Sequence, residues 1–155
     1  MLLGEVFPKD TIVLNVTSTE KDELFEELLE AIHSHHPCFD KNEALSVLNE
    51  RESKMTTGIM HSVGIPHALI PSMKSSVGAI GICQNGMDYD SLDKAPVYVV
   101  FMIIGSADDP THHIQILKEL ASVLQIPDFV KNLLSLKSSS EIYNFICTSE
   151  ESLIK

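Results

Sequence analysis

The chain has 155 residues, 44% of them hydrophobic and 21% charged, with 11 basic against 22 acidic side chains for a net charge of −11. That length suits a single domain able to bury its own core, and the near-average hydrophobicity argues against disorder. Ten scattered lysines and one arginine, Arg51, offer no cationic cluster, which excludes a phosphate-backbone reader of nucleic acid and disfavours an anionic membrane surface.

Met1 to Glu5 lacks the basic start and long apolar run of a signal peptide. The longest apolar run, Val97 to Ile104, has eight residues, well short of the ~20 that span a bilayer. Cys38, Cys83 and Cys147 are odd in number and widely spaced, so without an export signal they read as reduced thiols and a cytoplasmic chain is expected.

Ile12 to Val16 is rich in β-formers and predicts an opening strand. Thr19 with Asp22 has the form of an N-cap and an acid at N3, and Leu24, Phe25, Leu28, Leu29 and Ile32 follow at helical spacing. That helix should end near His36-Pro37. Asp40 and Glu43 predict a second N-terminus, for a helix reaching about Ser53.

From Met55 to Pro71 the pattern is irregular, and irregular stretches between strong elements are where sites gather. Ser76 to Cys83 reads as a strand of small residues, and Val97 to Ile104 as a central strand buried on both faces. Asp109 and Pro110 then supply an N-cap and an N1 proline for a helix with Ile114, Leu117, Leu120, Ala121 and Leu124 on its apolar face. Shorter helices are predicted from Asp128 and from Ser138, where Ser138 and Glu141 form another capping box. Strands interleaved with helices make an α/β domain.

The seven histidines sort into groups. His33, His35 and His36 sit at a helix end with Cys38 just beyond; His33, His36 and Cys38, joined by His61, would form a metal site. Their spacing matches no common zinc pattern, and the dipole at a helix C-terminus already favours histidine there, so a surface role is expected and no metal is assigned. His67 differs. Pro66 fixes its own φ and extends Ile65, so His67 leaves a stiff backbone flanked by small residues, as an accessible nucleophile or as a buried structural histidine.

Two further residues weight the choice. Arg51 precedes His67 by sixteen positions, and its planar guanidinium suits bidentate phosphate binding, although a plain surface arginine fits too. His113 shares a helical face with Leu117, Leu120 and Leu124, in a first turn whose free N–H groups favour an anion. His112 should then be exposed.

Leu45-x-x-Leu48-x-x-Arg51-Glu52, Thr57-Gly58-Ile59, Gly64-Ile65-Pro66-His67-Ala68, the apolar strand after Pro96 and His113-Ile114-x-Ile116-Leu117-x-x-Leu120-Ala121 together resemble the enzyme IIA domain of the phosphoenolpyruvate-dependent sugar phosphotransferase system, in its mannitol/fructose (type 2) and nitrogen-regulatory class. The resemblance implies one domain over residues 1–155, with the mixed β-sheet flanked by helices of the mannitol-type fold. It implies that His67 takes a phosphoryl group from the phosphocarrier HPr and gives it to an enzyme IIB domain, with no cofactor. His113 and Arg51 match positions that orient the nucleophile and stabilise phosphoryl charge, and Thr57 matches a supporting polar position.

Three departures stand out. Met60 and Ser62 replace glycines usual in the family loop, Gly64 replaces a common alanine, and Leu69 replaces a basic residue, which should weaken phosphate attraction. The length leaves no room for a IIB or membrane domain, so partners are expected on other proteins. The resemblance also implies an alternative, in which His67 phosphorylation switches binding to a regulatory target.

Overall fold

The structure is a computed structural model that describes residues 2–59 and 62–154. Helix α1 (Leu2–Val6), which no cap or periodicity predicts, leads through a 3-10 turn at Lys9–Thr11 into β1 (Ile12–Val13). The predicted strand is thus cut to two residues; beyond Val13 the chain stays tied to the sheet through the Leu14 carbonyl, which accepts from the Gln84 side chain, and the Val16 amide, which donates to the Ile82 carbonyl. Helix α2 (Lys21–His35) starts later than Thr19 predicts. Its N-cap is Glu20, with no side-chain cap bond, while Thr19 Oγ1 turns to Glu23 instead. Helix α3 (Lys41–Lys54) begins as expected, with the Asp40 carboxylate accepting from the Glu43 amide at 3.1 Å.

The irregular stretch resolves into three short strands, β2 (Gly58–Ile59), β3 (Val63–Gly64) and β4 (His67–Ile70). Two long strands, β5 (Val77–Met87) and β6 (Val97–Ser106), then pair antiparallel with a bulge between Ile82 and Met87. They form the middle of a six-stranded mixed sheet of order β1-β5-β6-β3-β2, and β4 runs parallel to β6 further along the β3 side.

Strand β6 has helices on both faces, which explains its unbroken apolar run. Val100, Met102 and Ile104 pack into one core with Leu24, Phe25, Leu28, Leu29, Ile32 and Leu48 of α2 and α3. Val99, Phe101 and Ile103 face a second core built from α1, α4 (Pro110–Leu124), α5 (Phe129–Leu134) and α6 (Ser139–Ser152). The result is a single α/β/α domain with a mixed sheet flanked by helices, the fold class the sequence predicts.

The phase of α4 corrects the predicted apolar face. His113, Ile116, Leu120 and Val123 are buried, whereas Ile114 is 52% exposed. Packing on a strand whose Val99, Phe101 and Ile103 are all on one side selects this stripe and turns Ile114 outward. Asp109 caps the helix by accepting from the His112 amide at 3.2 Å, and Ser138 caps α6 by accepting from the Glu141 amide at 3.1 Å. Among the described residues no helix is long and apolar enough to cross a membrane.

Candidate active site

Three elements bring their ends together. Arg51 lies in the last turn of α3, His67 opens β4, and His113 lies in the first turn of α4. Strand β6 sets the meeting of the two histidines, because His67 pairs with Ile103 and the chain leaves β6 at Ser106 to enter α4 after three intervening residues. The rings of His67 and His113 come to 5.7 Å between centroids, tilted by 44°.

The His67 ring is half-buried, and its Nδ1 lies 2.8 Å from the Ile65 carbonyl oxygen. A carbonyl only accepts, so Nδ1 carries the proton and donates, and Nε2 keeps a lone pair. Burial holds this imidazole below the usual histidine range; the Ile65 carbonyl opposes that, the Arg51 charge adds to it, and the Glu52 carboxylate opposes it. His67 is therefore a neutral imidazole at neutral pH, with Nε2 able to act as a nucleophile.

His113 is 4% exposed, and its buried Nδ1 has no hydrogen-bond partner among the described residues. An orphaned buried N–H is the state proteins avoid, so the ring proton belongs on Nε2. Burial pushes the His113 pKa down to about 4, with the neighbouring His67 and His112 pushing the same way. Gly105 allows the approach: a Cβ there would lie 2.6 Å from His113 Nδ1 and 3.2 Å from Leu69 Cδ2. Leu69 thus adds an apolar side chain beside the pair. His112, expected exposed, is half-buried.

Arg51 donates from Nη1 to the Met55 carbonyl at 2.9 Å, and among the described residues no carboxylate pairs with it. Its charge is felt at His67, and the rest of its donor fork remains to meet an anion. Thr57 is 4% exposed, and its hydroxyl is committed to neighbours rather than to solvent. Its Oγ1 donates to Glu52 Oε1 at 2.7 Å and its amide donates to Glu52 Oε2 at 2.7 Å. Tyr89 Oη stands 2.7 Å from the same Thr57 oxygen.

Glu52, Tyr89 and Lys21 complete the surroundings of Thr57. Lys21 Nζ reaches Glu52 Oε2 at 2.8 Å and sits 4.3 Å from the centre of the Tyr89 ring. Glu52 stood next to the arginine, but Tyr89 lies in an Asp-rich connection with no local signal at all.

The other histidine group stays apart. His33 lies edge-on to Phe39 with centroids 5.3 Å apart, and His35 Nδ1 is 3.6 Å from Asp10. Among the described residues no three His, Cys, Asp or Glu side chains converge to hold a metal ion, which goes against the His33–His36–Cys38 site weighed from the sequence. His61 and Met60 lie outside the described residues.

By its fold the domain is of the mannitol-type enzyme IIA class. It superposes on the nitrogen regulatory protein IIA-Ntr of Neisseria meningitidis with a TM-score of 0.86 at 24% identity, covering 94% of this chain and 99% of that one. The IIA mannitol structure from Escherichia coli gives a TM-score of 0.73 at 16% identity, over 88% of this chain and 96% of that one.

Residues 5–148 match the family described as the phosphoenolpyruvate-dependent sugar phosphotransferase system, EIIA 2, and the chain belongs to that family. It is 32% identical over 146 residues to the fructose-specific EIIABC component of Bacillus subtilis, covering 94% of this chain but only 23% of that protein. It is 29% identical to the fructose-specific EIIA component of Haloferax volcanii, over 93% of this chain and 94% of that one. A nitrogen regulatory protein of Pseudomonas aeruginosa is 24% identical over the same shares, 93% and 94%.

Proposed function

We propose that this protein is a cytoplasmic phosphocarrier, one EIIA type-2 domain over residues 1–155, that accepts a phosphoryl group on Nε2 of His67 from the phosphohistidine of an HPr-type carrier and passes it to an enzyme IIB domain. One observation carries the reading: the Nδ1–H of His67 is tied to the Ile65 carbonyl, which leaves the Nε2 lone pair as nucleophile beside His113 and Arg51.

In the transfer the Nε2 lone pair forms the new N–P bond while the donor N–P bond breaks, its electron pair returning to the donor imidazole. No proton has to move, because His67 keeps its Nδ1–H and the Ile65 carbonyl stabilises the positive charge that develops on the ring. Arg51 and the Nε2–H of His113 donate to the phosphoryl oxygens. Such transfer needs positioning and charge stabilisation more than covalent help. Thr57 acts from behind, through the backbone that carries His67.

The surroundings suit a protein as donor and acceptor. Met55, Leu92 and Ile114, exposed by 58%, 58% and 52%, stand next to the site. Met55 receives the Arg51 hydrogen bond, Leu92 donates its amide to Gly58, and Ile114 follows His113. A IIB acceptor is supported by the fused EIIABC relative and by the solved complex of enzyme IIAMTL with phosphorylated enzyme IIBMTL.

Incubation with phosphoenolpyruvate, enzyme I and HPr should add the mass of one phosphate, and His67→Ala should abolish it. Full labelling of that variant would refute the assignment. Arg51→Lys should fold normally and transfer more slowly, because lysine lacks the planar fork.

Relatives called nitrogen regulatory proteins favour a second reading, in which phospho-His67 switches binding to a target protein. Onward transfer to a IIB domain supports the relay. A target retained by only one phosphorylation state in a pull-down supports the switch.

A further inference from the structure

The orientation of His67 depends on a carbonyl, and the residues that aim this carbonyl are traceable to the far side of the loop. The Ile65 amide donates to the Thr57 carbonyl at 3.1 Å, and the Ile65 carbonyl receives the His67 Nδ1–H at 2.8 Å. Pro66 restricts Ile65 to extended backbone, and the Pro66 carbonyl is itself fixed by the Ile103 amide at 3.0 Å. The peptide that holds His67 is therefore clamped between Thr57 on one side and β6 on the other.

Thr57 in turn is held at every polar atom it has. Its carbonyl takes the Ile65 amide, and its amide and hydroxyl go to the two oxygens of Glu52. A carboxylate can only accept, so the Thr57 hydroxyl spends its proton on Glu52, and the 2.7 Å contact with Tyr89 must run from the Tyr89 O–H to the Thr57 oxygen. Burial and the Glu52 charge push the Tyr89 phenol up, which keeps that proton in place. Lys21 neutralises Glu52 and lies over the Tyr89 ring.

Tyr89 also works by shape. The ring is fully buried and fills the space that side chains at Gly58 and Gly64 would otherwise occupy. A Cβ on Gly58 would lie 2.8 Å from Tyr89 Cδ1, and one on Gly64 would lie 3.0 Å from Tyr89 Cζ. Those two glycines pair across β2 and β3, so the ring packs directly against the strand pair that leads into the Ile65 peptide.

We propose that Tyr89, Glu52 and Lys21 form a positioning network that acts through Thr57 and the Ile65 carbonyl to hold His67 in the Nδ1–H tautomer, presenting Nε2 to the phosphoryl group. None of the three touches the imidazole. The proposal rests on the phosphocarrier reading for its purpose, and its first test needs no phosphate.

The test is the tautomer of His67 in the unphosphorylated protein, read from its ring 15N shifts at a pH where the imidazole is neutral. The wild type should show Nδ1–H. Glu52→Gln should raise the Nε2–H population by roughly tenfold, and Tyr89→Phe, which keeps the ring and loses one donor, by roughly fivefold. Lys21→Gln should move it least. The same order should appear in kcat for transfer from phospho-HPr, with KM little changed.

Variants that melt earlier or transfer more slowly with an unchanged tautomer ratio would show a merely structural role and overturn the proposal. If Glu52→Gln does not fold, Tyr89→Phe and Lys21→Gln carry the test, since each removes one contact to the pair and leaves both Glu52–Thr57 hydrogen bonds in place. A tautomer that responds as described in a wild-type protein that accepts no phosphate supports the network and refutes the phosphocarrier reading instead.

Discussion

His33, His35 and His36 fall within four residues of one another, whereas His67 and His113 are forty-six apart. The structure reverses the apparent grouping. The three neighbours part at the C-terminus of α2, one to Phe39, one toward Asp10 and one to the helix end, while the distant pair meets with ring centroids 5.7 Å apart. His35 points away from His33 along the helix, and His36 is the C-cap with non-helical backbone, so the shared face that i, i+3 spacing would give His33 and His36 is lost. Strand β6 and the start of α4 make a convergence that only the sheet register can specify.

The comparison is broken most directly by His113→Ala. Losing one donor aimed at developing charge should lower kcat for phosphoryl transfer by about 10²–10³-fold. His36→Ala, at the other cluster, should transfer at the wild-type rate. Equal loss in both variants, measured in transfer assays at saturating phospho-HPr, would show that the two groups act together after all.

Titration of the paired site gives the next largest effect. The His67 imidazole lies below the usual range, so acceptance should be constant above pH ~6.5 and fall about tenfold per unit once pH drops beneath the depressed pKa. Stability carries a matching signature at His113. Its folded pKa of about 4 is below the ordinary histidine value near 6.5, so the unfolded chain binds the proton first. The contribution is complete above pH 6.5 and is lost as pH falls toward 4. Glu150, whose carboxyl burial pushes up, works with the opposite sign, so the measurement is the difference between wild type and His113→Ala in urea midpoints across that range. A difference independent of pH would remove the burial argument.

Gly105→Ala tests how closely the pair is held. The new Cβ would stand 2.6 Å from His113 Nδ1 and 3.2 Å from Leu69 Cδ2, with a strand behind it and a helix in front. Overpacking of this kind costs about 1–3 kcal/mol. Denaturant unfolding should show that loss together with slower transfer, because His113 must move away from His67. A variant of wild-type stability and rate would mean the helix yields without cost.

Much of the frame was legible because its signals are local. Asp40 with Glu43, Asp109 with His112 and Ser138 with Glu141 each lie within one turn, and each cap forms. The eight apolar residues of β6 announced a strand covered on both faces. The signals that misled were equally local. Thr19 looked like a cap, yet the Thr17 and Ser18 amides are taken by Glu27 from the second turn of α2, which draws the chain past Thr19 before the helix begins. Ile114 looked like core, but the stripe that contains His113 and Ile116 fits the sheet better. At the site, His67, His113 and Arg51 could be named from a motif. Glu52 sits beside Arg51 in that motif, but Lys21 and Tyr89 could not be joined to them, since hydrogen bonds across 31 or 32 positions leave no periodicity in a sequence.

The smallest predicted effect sits in the loop between β2 and β3. Ser62 has φ 65°, the left-handed region in which an L side chain is disfavoured. The conformation is imposed from outside: the Ser62 carbonyl accepts from the Tyr98 amide at 2.9 Å and also from Val99 at 3.4 Å, so β6 holds the turn against the preference of the serine. Between His33 and Cys38, by contrast, no residue has a positive φ. Ser62→Gly should relieve the steric cost while adding some freedom to the unfolded chain, for a net gain of roughly 0.5–1 kcal/mol. A higher urea midpoint at unchanged slope would report it. A loss of stability would show that the serine side chain earns more than its backbone strain costs. The strained turn would then be a feature this sequence maintains close to its nucleophile.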